Sequence, residues 1–182
     1  ARHQGRLCRQ RCLDPVCDQP EVTRSLRLLD RALLDAVSSD AAARPRLRAN
    51  CNFHPADDFP AHRLLNAIEP GSYLPPHRHL DPNKDETIIV LRGALGAVHF
   101  DDAGHVLQTW VLTSGGDCFG IDVPHGTWHT VLALQPGTVI FEAKSGPYQP
   151  LLPEEKAPWA PAEGAAGVAG YLRQIEGLFS ER

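Results

Sequence analysis

The sequence predicts an all-β barrel or sandwich, with a helix before it and a proline-rich arm after it. Two observations carry this. From residue 46 to residue 144, short apolar runs recur at regular spacing, separated by turn residues such as Glu69-Pro-Gly-Ser, Asp81-Pro-Asn-Lys, Asp102-Ala-Gly and Gly115-Gly-Asp. After Lys144 the texture changes, and Pro147, Pro150, Pro153, Pro158 and Pro161 exclude a regular helix or a central strand.

Length and composition fit this class. The chain has 182 residues, enough for one domain with extensions and a real core. Charged residues make up 22% and apolar residues 42%, ordinary values for a soluble globule. A formal net charge of −4 argues against a general nucleic-acid binder. No apolar run approaches membrane-spanning length. The first residues hold no apolar core segment of the signal-peptide kind, and the cysteine total is an odd five, so reduced thiols in a cytoplasm are expected.

In chain order, residues 1–20 are basic, with Arg2, Arg6, Arg9 and Arg11, and carry Cys8, Cys12 and Cys17. A zinc site would want a fourth ligand and tighter paired spacing, so a poorly ordered leader is expected. Residues 21–45 are read as a helix and a connector. Leu26, Leu29, Leu33 and Val37 recur at helical spacing over 23–37, Thr23 serves as N-cap, and 38–45 is an alanine-rich link. The barrel takes residues 46–145. Its body begins at 46–52, and strands are expected over 63–68, 86–91, 94–101, 106–112, 118–123, 128–134 and 138–144, with a further strand carrying His77 and His79. Residues 146–182 form the arm. Tyr148 and Trp159 are expected to lie against the barrel or a partner subunit. Val168, Tyr171, Leu172, Ile175, Leu178 and Phe179 suggest a closing short helix, which Gly167, Gly170 and Gly177 oppose.

The chemistry concentrates in two stretches. The first holds His77 and His79 as an H-x-H pair and then Glu86; the second is Pro124-His-Gly-Thr-Trp-His129. On a strand, residues i and i+2 share a face, so His77 and His79 can reach one ion together. Glu86 lies seven residues past His79, an odd offset, but the turn at Asp81-Pro-Asn-Lys resets the phase. If Glu86 faces inward, Ile88 and Val90 do too. His77, His79, Glu86 and His129 then offer three imidazoles and one carboxylate to a divalent transition metal. His125 precedes the Gly126 turn and is expected at the rim.

The pattern Gly71-x5-His77-x-His79-x6-Glu86-x6-Gly93 resembles the first cupin motif, with a longer gap before the Glu than is usual. Pro124-x-Gly126-x2-His129 resembles the core of the second, although Cys118 and Ala133 stand where that motif has Gly and Asn. A more detailed resemblance is to the WbuC family of cupin-fold metalloproteins. It is carried by Arg48-Ala-Asn-Cys-Asn-Phe-His54, Arg63-Leu-Leu-Asn-Ala-Ile68, residues 77–84, Phe100-Asp-Asp-Ala-Gly104, Phe141-Glu-Ala-Lys-Ser-Gly-Pro-Tyr148 and residues 157–163. It spans residues 25–164. The resemblance implies a jelly-roll barrel, a bound metal and a place in bacterial surface-polysaccharide (O-antigen) metabolism.

Four ligands leave positions free on a five- or six-coordinate ion, where a substrate oxygen can bind. The donor set suits Fe, Mn, Ni, Co, Cu or Zn alike. The expected function is an enzyme acting on a sugar or other small oxygenated or anionic metabolite, by metal-assisted isomerisation, epimerisation or lyase chemistry. Alternatives are a non-catalytic metal-dependent saccharide-binding module and a metal-dependent oxygenase. Such reactions need a group that moves a proton, for which Tyr73, Tyr148, Glu142 and Lys144 are candidates. Arg63 and Lys144 are the expected contacts to an anionic substrate, while Arg78, alternating with the two histidines, points away. The expected assembly is a homodimer, with no nucleic-acid or membrane partner.

Overall fold

The computed structural model describes residues 26–180. The leader with Cys8, Cys12 and Cys17 lies outside the described residues, as do Thr23 and Arg24 of the expected first helix.

Eight strands form: β1 (Arg48–Asn52), β2 (Ala61–Ile68), β3 (Glu86–Arg92), β4 (Ala94–Phe100), β5 (Val106–Thr113), β6 (Gly120–Val123), β7 (Trp128–Ala133) and β8 (Thr138–Ser145). They build a five-stranded sheet, ordered β1-β2-β8-β3-β6, and a three-stranded sheet, ordered β5-β4-β7. Every ladder is antiparallel. This two-sheet arrangement is the jelly-roll barrel that the sequence predicts, and the expected strands meet the observed ones to within two residues at each end.

The strand expected around His77 is different. Pro75 and Pro76 have no N–H to donate, so no regular ladder forms there. Residues 77–79 are extended but pair with the rest of the fold only at isolated bridges, from His77 to His129 and from His77 to Lys156.

Alternation places the core. On β3, Glu86, Ile88 and Val90 are buried while Thr87 is exposed. Ile88 and Val90 join Ile68, Leu95, Val131 and Ile140 between the two sheets. The tight link from β3 to β4 needs Gly93, whose φ is +79° and where a Cβ would stand 2.9 Å from the Thr138 Cα.

Helix α1 (Arg31–Ala43) begins eight residues later than expected, counting from Thr23, and runs through the alanine-rich stretch read as a connector. The Asp30 carboxylate accepts from the Leu33 N–H at 3.0 Å and caps the helix, and the alanines after it are strong helix formers. Leu33, Val37 and Ala41 recur every four residues and pack on Cys51, Leu65 and Val139, covering the outer face of the five-stranded sheet. Leu26 and Leu29, expected on that face, are exposed.

The arm covers the outer face of the other sheet. Val98, Phe100, Trp128 and Leu132 pack with Ala157 and Ile175, and Trp159, Tyr171 and Phe179 join them. Trp159 meets Trp128 edge-on, with ring centroids 4.9 Å apart. Tyr148 does not pack on the barrel as expected, and is 59% exposed. Helix α2 (Val168–Gly177) closes the chain. Nothing lies within 4 Å of a Cβ at Gly170 or Gly177, so these glycines weaken the helix without being demanded by packing. No helix among the described residues is long and apolar enough to cross a membrane.

Candidate metal centre

The segment 77–80 is held straight from two sides. Toward β7, the N–H groups of His77 and His129 donate to each other's carbonyls, at 3.0 and 2.9 Å. Toward the arm, the Arg78 N–H donates to the Glu155 carbonyl at 3.0 Å, and the Ala157 N–H donates to the Pro76 carbonyl at 3.1 Å. The buried Glu155 carboxylate also accepts from the N–H groups of Leu80 and Leu152, each at 2.8 Å. An extended chain alternates its side chains. The Arg78 guanidinium accordingly leaves the side of His77 and His79, and stacks over the Trp128 ring at 4.3 Å.

Glu86 opens β3, between Lys144 on β8 and Val123 on β6. Its carboxylate is the meeting point of the cluster. His79 Nε2 lies 2.8 Å from Glu86 Oε1, and His129 Nε2 lies 3.4 Å from Oε2. One ligand atom each from His77, His79 and Glu86 fall within 4.8 Å of one another. His77 Nδ1 sits 3.0 Å from the Pro75 carbonyl oxygen, and His129 Nδ1 sits 2.9 Å from that of Thr127. A carbonyl only accepts, so both Nδ1 atoms donate; His77 keeps its Nε2 lone pair free, while His129 Nε2 faces the Glu86 carboxylate. Two imidazoles and one carboxylate, those of His77, His79 and Glu86, form a group that could hold a metal ion; His129 is outside that group and adjoins it through Glu86.

Burial and neighbouring charges shift His77, Glu86 and Lys144. Desolvation, with the neighbouring His129, pushes His77 down to about 3, so its imidazole is neutral at physiological pH. Burial opposes the ionisation of Glu86, but the hydrogen bonds from His129 and His79 and the charge of Lys144 hold it well below the usual carboxylate range. Burial also opposes the charge on Lys144; Glu142 and Glu86 overcome it and raise the ammonium above its ordinary value. Lys144 Nζ lies 2.6 Å from a carboxylate oxygen of each.

A cavity of about 270 Å³ opens between the sheets beside this cluster. Trp110, Ile121, Val123 and Val131 give it apolar walls, and His99, Asp122, Thr127, His129 and Thr130 are its polar lining residues. It reaches the cluster at His129, while His77, His79 and Glu86 are not among its walls.

The other residues singled out from sequence are scattered. Lys144 stands beside Glu86, with Glu142 behind it. Arg63 does not border the same cavity. It alternates with Leu64 onto the outer face that carries Leu65, is exposed, and donates to the Phe53 carbonyl at 3.3 Å. Tyr73 turns to the arm, where its hydroxyl donates to the Pro161 carbonyl at 2.8 Å, and Tyr148 is on the surface. His125 is exposed and pairs with Asp85 at 2.9 Å, away from the cluster, as expected of a rim residue. Sequence reasoning passed over two residues. Glu155 gave no signal, because its role depends on where the arm docks. His99 could have been found from the alternation Leu95, Ala97, His99 on β4, which puts it on the core face.

Residues 29–112 match a family model described as a domain of unknown function (DUF6016). That span holds His77, His79 and Glu86 but stops before His129. No curated protein matches the chain. Among solved structures, KdgF from Halomonas sp. is similar at 20% identity and a TM-score of 0.45, over 59% of this chain and 85% of that one. A cupin-2 domain containing protein from Shewanella frigidimarina is similar at 21% identity and a TM-score of 0.41, over 54% of this chain and 80% of that one. The oxalate decarboxylase of Lactobacillus farciminis, solved as a formate complex, is similar at 18% identity and a TM-score of 0.40. There the match covers 50% of this chain and only 25% of that one. None of these likenesses carries an activity over to this chain.

Proposed function

We propose that this protein binds one divalent transition metal ion through His77, His79, Glu86 and His129, and holds a small oxygenated, anionic metabolite there for isomerisation, epimerisation or lyase chemistry. One observation carries the reading: His77, His79 and Glu86 each bring a ligand atom within 4.8 Å of the others, with the His77 and His129 rings held at Nδ1 by backbone carbonyls. A bound metal supplies a Lewis acid that polarises a substrate oxygen.

The chain's own residues divide the remaining work. Lys144 stays an ammonium because two carboxylates face it, so it is a fixed cation and donor, not a base. Glu142 is the one proton-transfer candidate left beside the centre, since the Tyr73 hydroxyl is engaged by the arm and Tyr148 is on the surface. The apolar walls of the cavity exclude water from whatever ligand reaches His129. The resemblance of residues 48–54, 63–68 and 141–148 to the WbuC family supports a role in surface-polysaccharide metabolism, within the cytoplasm.

Binding measurements test the reading. Metal-depleted and metal-loaded protein should be titrated with neutral sugars, uronic acids and sugar phosphates. The expected result is binding by the loaded protein alone, with acidic members favoured. Equal binding by the depleted protein would contradict it.

A further inference from the structure

His99 stands directly opposite His129 in the β4–β7 ladder. Opposite residues in an antiparallel pair have Cβ atoms about 4.5–5.5 Å apart on one face. The shared face is the core face, because Leu95 and Ala97 on β4 and Val131 and Ala133 on β7 belong to the cluster between the sheets. Both imidazoles line the same cavity. Their partners differ. The His129 Nδ1 is tied to the Thr127 carbonyl, whereas the half-buried His99 side chain has no hydrogen bond or ion pair among the described residues. A polar group facing a cavity without a partner is a natural anchor for a ligand atom.

Charge indicates the ligand class, and here the inference rests on the metal reading above. Glu86 leaves a divalent ion with one net positive charge, and Lys144 and Glu142, 2.6 Å apart, cancel. Asp122, the charged residue of the cavity lining, is exposed and accepts from the Thr87 hydroxyl, so the charge at the ion is the one that an anion balances. The cavity walls add a second constraint. Trp110, Ile121 and Val123 offer apolar contact area, with the Trp110 indole N–H as their one side-chain donor, too few partners for a row of hydroxyls.

We propose that His99 is the ligand-anchoring residue of this cavity: its imidazole hydrogen-bonds a carboxylate oxygen of a small organic acid, whose apolar portion lies against Trp110, Ile121 and Val123. The acid is a compact one with an apolar part, in preference to a fully hydroxylated sugar acid. His99 thus contributes specificity without being one of the four metal-binding residues.

The test uses the full chain loaded with Co(II), whose visible absorption reports ligands entering the centre. Formate, acetate, propionate, butyrate and gluconate serve as probes. For the native protein, affinity should rise from formate to butyrate, and gluconate should bind more weakly than butyrate. His99→Ala should keep its cobalt and lose roughly tenfold in affinity for the monocarboxylates, the scale of one hydrogen bond to a charged group. His99→Gln, which keeps an N–H donor, should recover most of that loss. Unchanged affinities in His99→Ala, or gluconate bound more tightly than butyrate, would overturn the inference while leaving the metal centre standing. Loss of cobalt from both variants would also overturn it, since His99 would then act through the metal. Native protein that takes up no cobalt would instead overturn the metal reading, and this inference with it.

Discussion

Lys144 donates a hydrogen bond to Glu86 at 2.6 Å, so the carboxylate read as a metal ligand already has a cationic partner inside the barrel. The same ammonium lies 2.6 Å from Glu142 and separates two buried carboxylates that would otherwise repel. Replacing Lys144 by Met should therefore destabilise the metal-free protein by about 3–5 kcal/mol, the usual cost of stranding a buried charge. Added metal neutralises Glu86 and should restore part of the loss. Denaturant unfolding with and without metal measures both effects; an equal loss in the two conditions would detach Lys144 from the centre.

Glu155 ties the arm to the segment that carries His77 and His79. Its burial opposes ionisation, but the N–H groups of Leu80 and Leu152 hold it below the ordinary carboxylate value of 4.5. A depressed folded-state value means that the ionised group stabilises the fold above pH 4.5, and that this contribution disappears as pH falls through the folded value. Glu155→Ala should cost about 1–3 kcal/mol at neutral pH, the scale of hydrogen bonds to a charged group. The gap to the native protein should narrow on acidification below pH 4.5 and be flat above it. The same variant should bind metal more weakly, because the 77–80 segment loses its hold on the arm. A pH-independent gap with unchanged metal affinity would refute this role.

Trp159 tests the docking of the arm. It packs on Trp128, and Gly104 has no side chain because Trp159 fills that space, with ring carbons about 2.5 Å from where a Cβ would be. Burying an aromatic of this kind contributes about 1.5–3 kcal/mol. Trp159→Ala should lower the thermal midpoint accordingly, while Tyr148→Ala should leave it within error, because that side chain is exposed. Calorimetry of the two variants distinguishes a docked arm from a loose one.

Much of this was legible in the sequence, for physical reasons. Period-two alternation and turn chemistry delimit strands locally, so β2, β3, β4, β5, β7 and β8 could be read from their own residues. Alternation put Glu86 on one face with Ile88 and Val90, but which face was inward was not legible, because Ile89 and Leu91 on the other are apolar too. The helix start was not legible. Leu26 and Leu29 continue the apolar spacing, yet the Asp30 cap begins the helix after them. Arg63 shows another limit. Composition marks it as a cation near the site, but only its strand phase sends it outward, with Leu65 and Ala67. Glu155 depends on contacts between segments far apart in the chain, which no local pattern encodes, whereas the core face of His99 was legible in the alternation of β4 and only its place opposite His129 was not.

The central claim, that His77, His79, Glu86 and His129 form one metal centre, is tested most directly by elemental analysis of protein purified under metal-replete conditions. Native protein should carry about one transition-metal ion per chain. The paired substitution of His77 and His79 by Ala should bring that close to zero, as should His129→Ala, while His125→Ala should leave it unchanged. Full occupancy in the His77/His79 double variant, or a metal-free His125→Ala protein, would contradict the assignment.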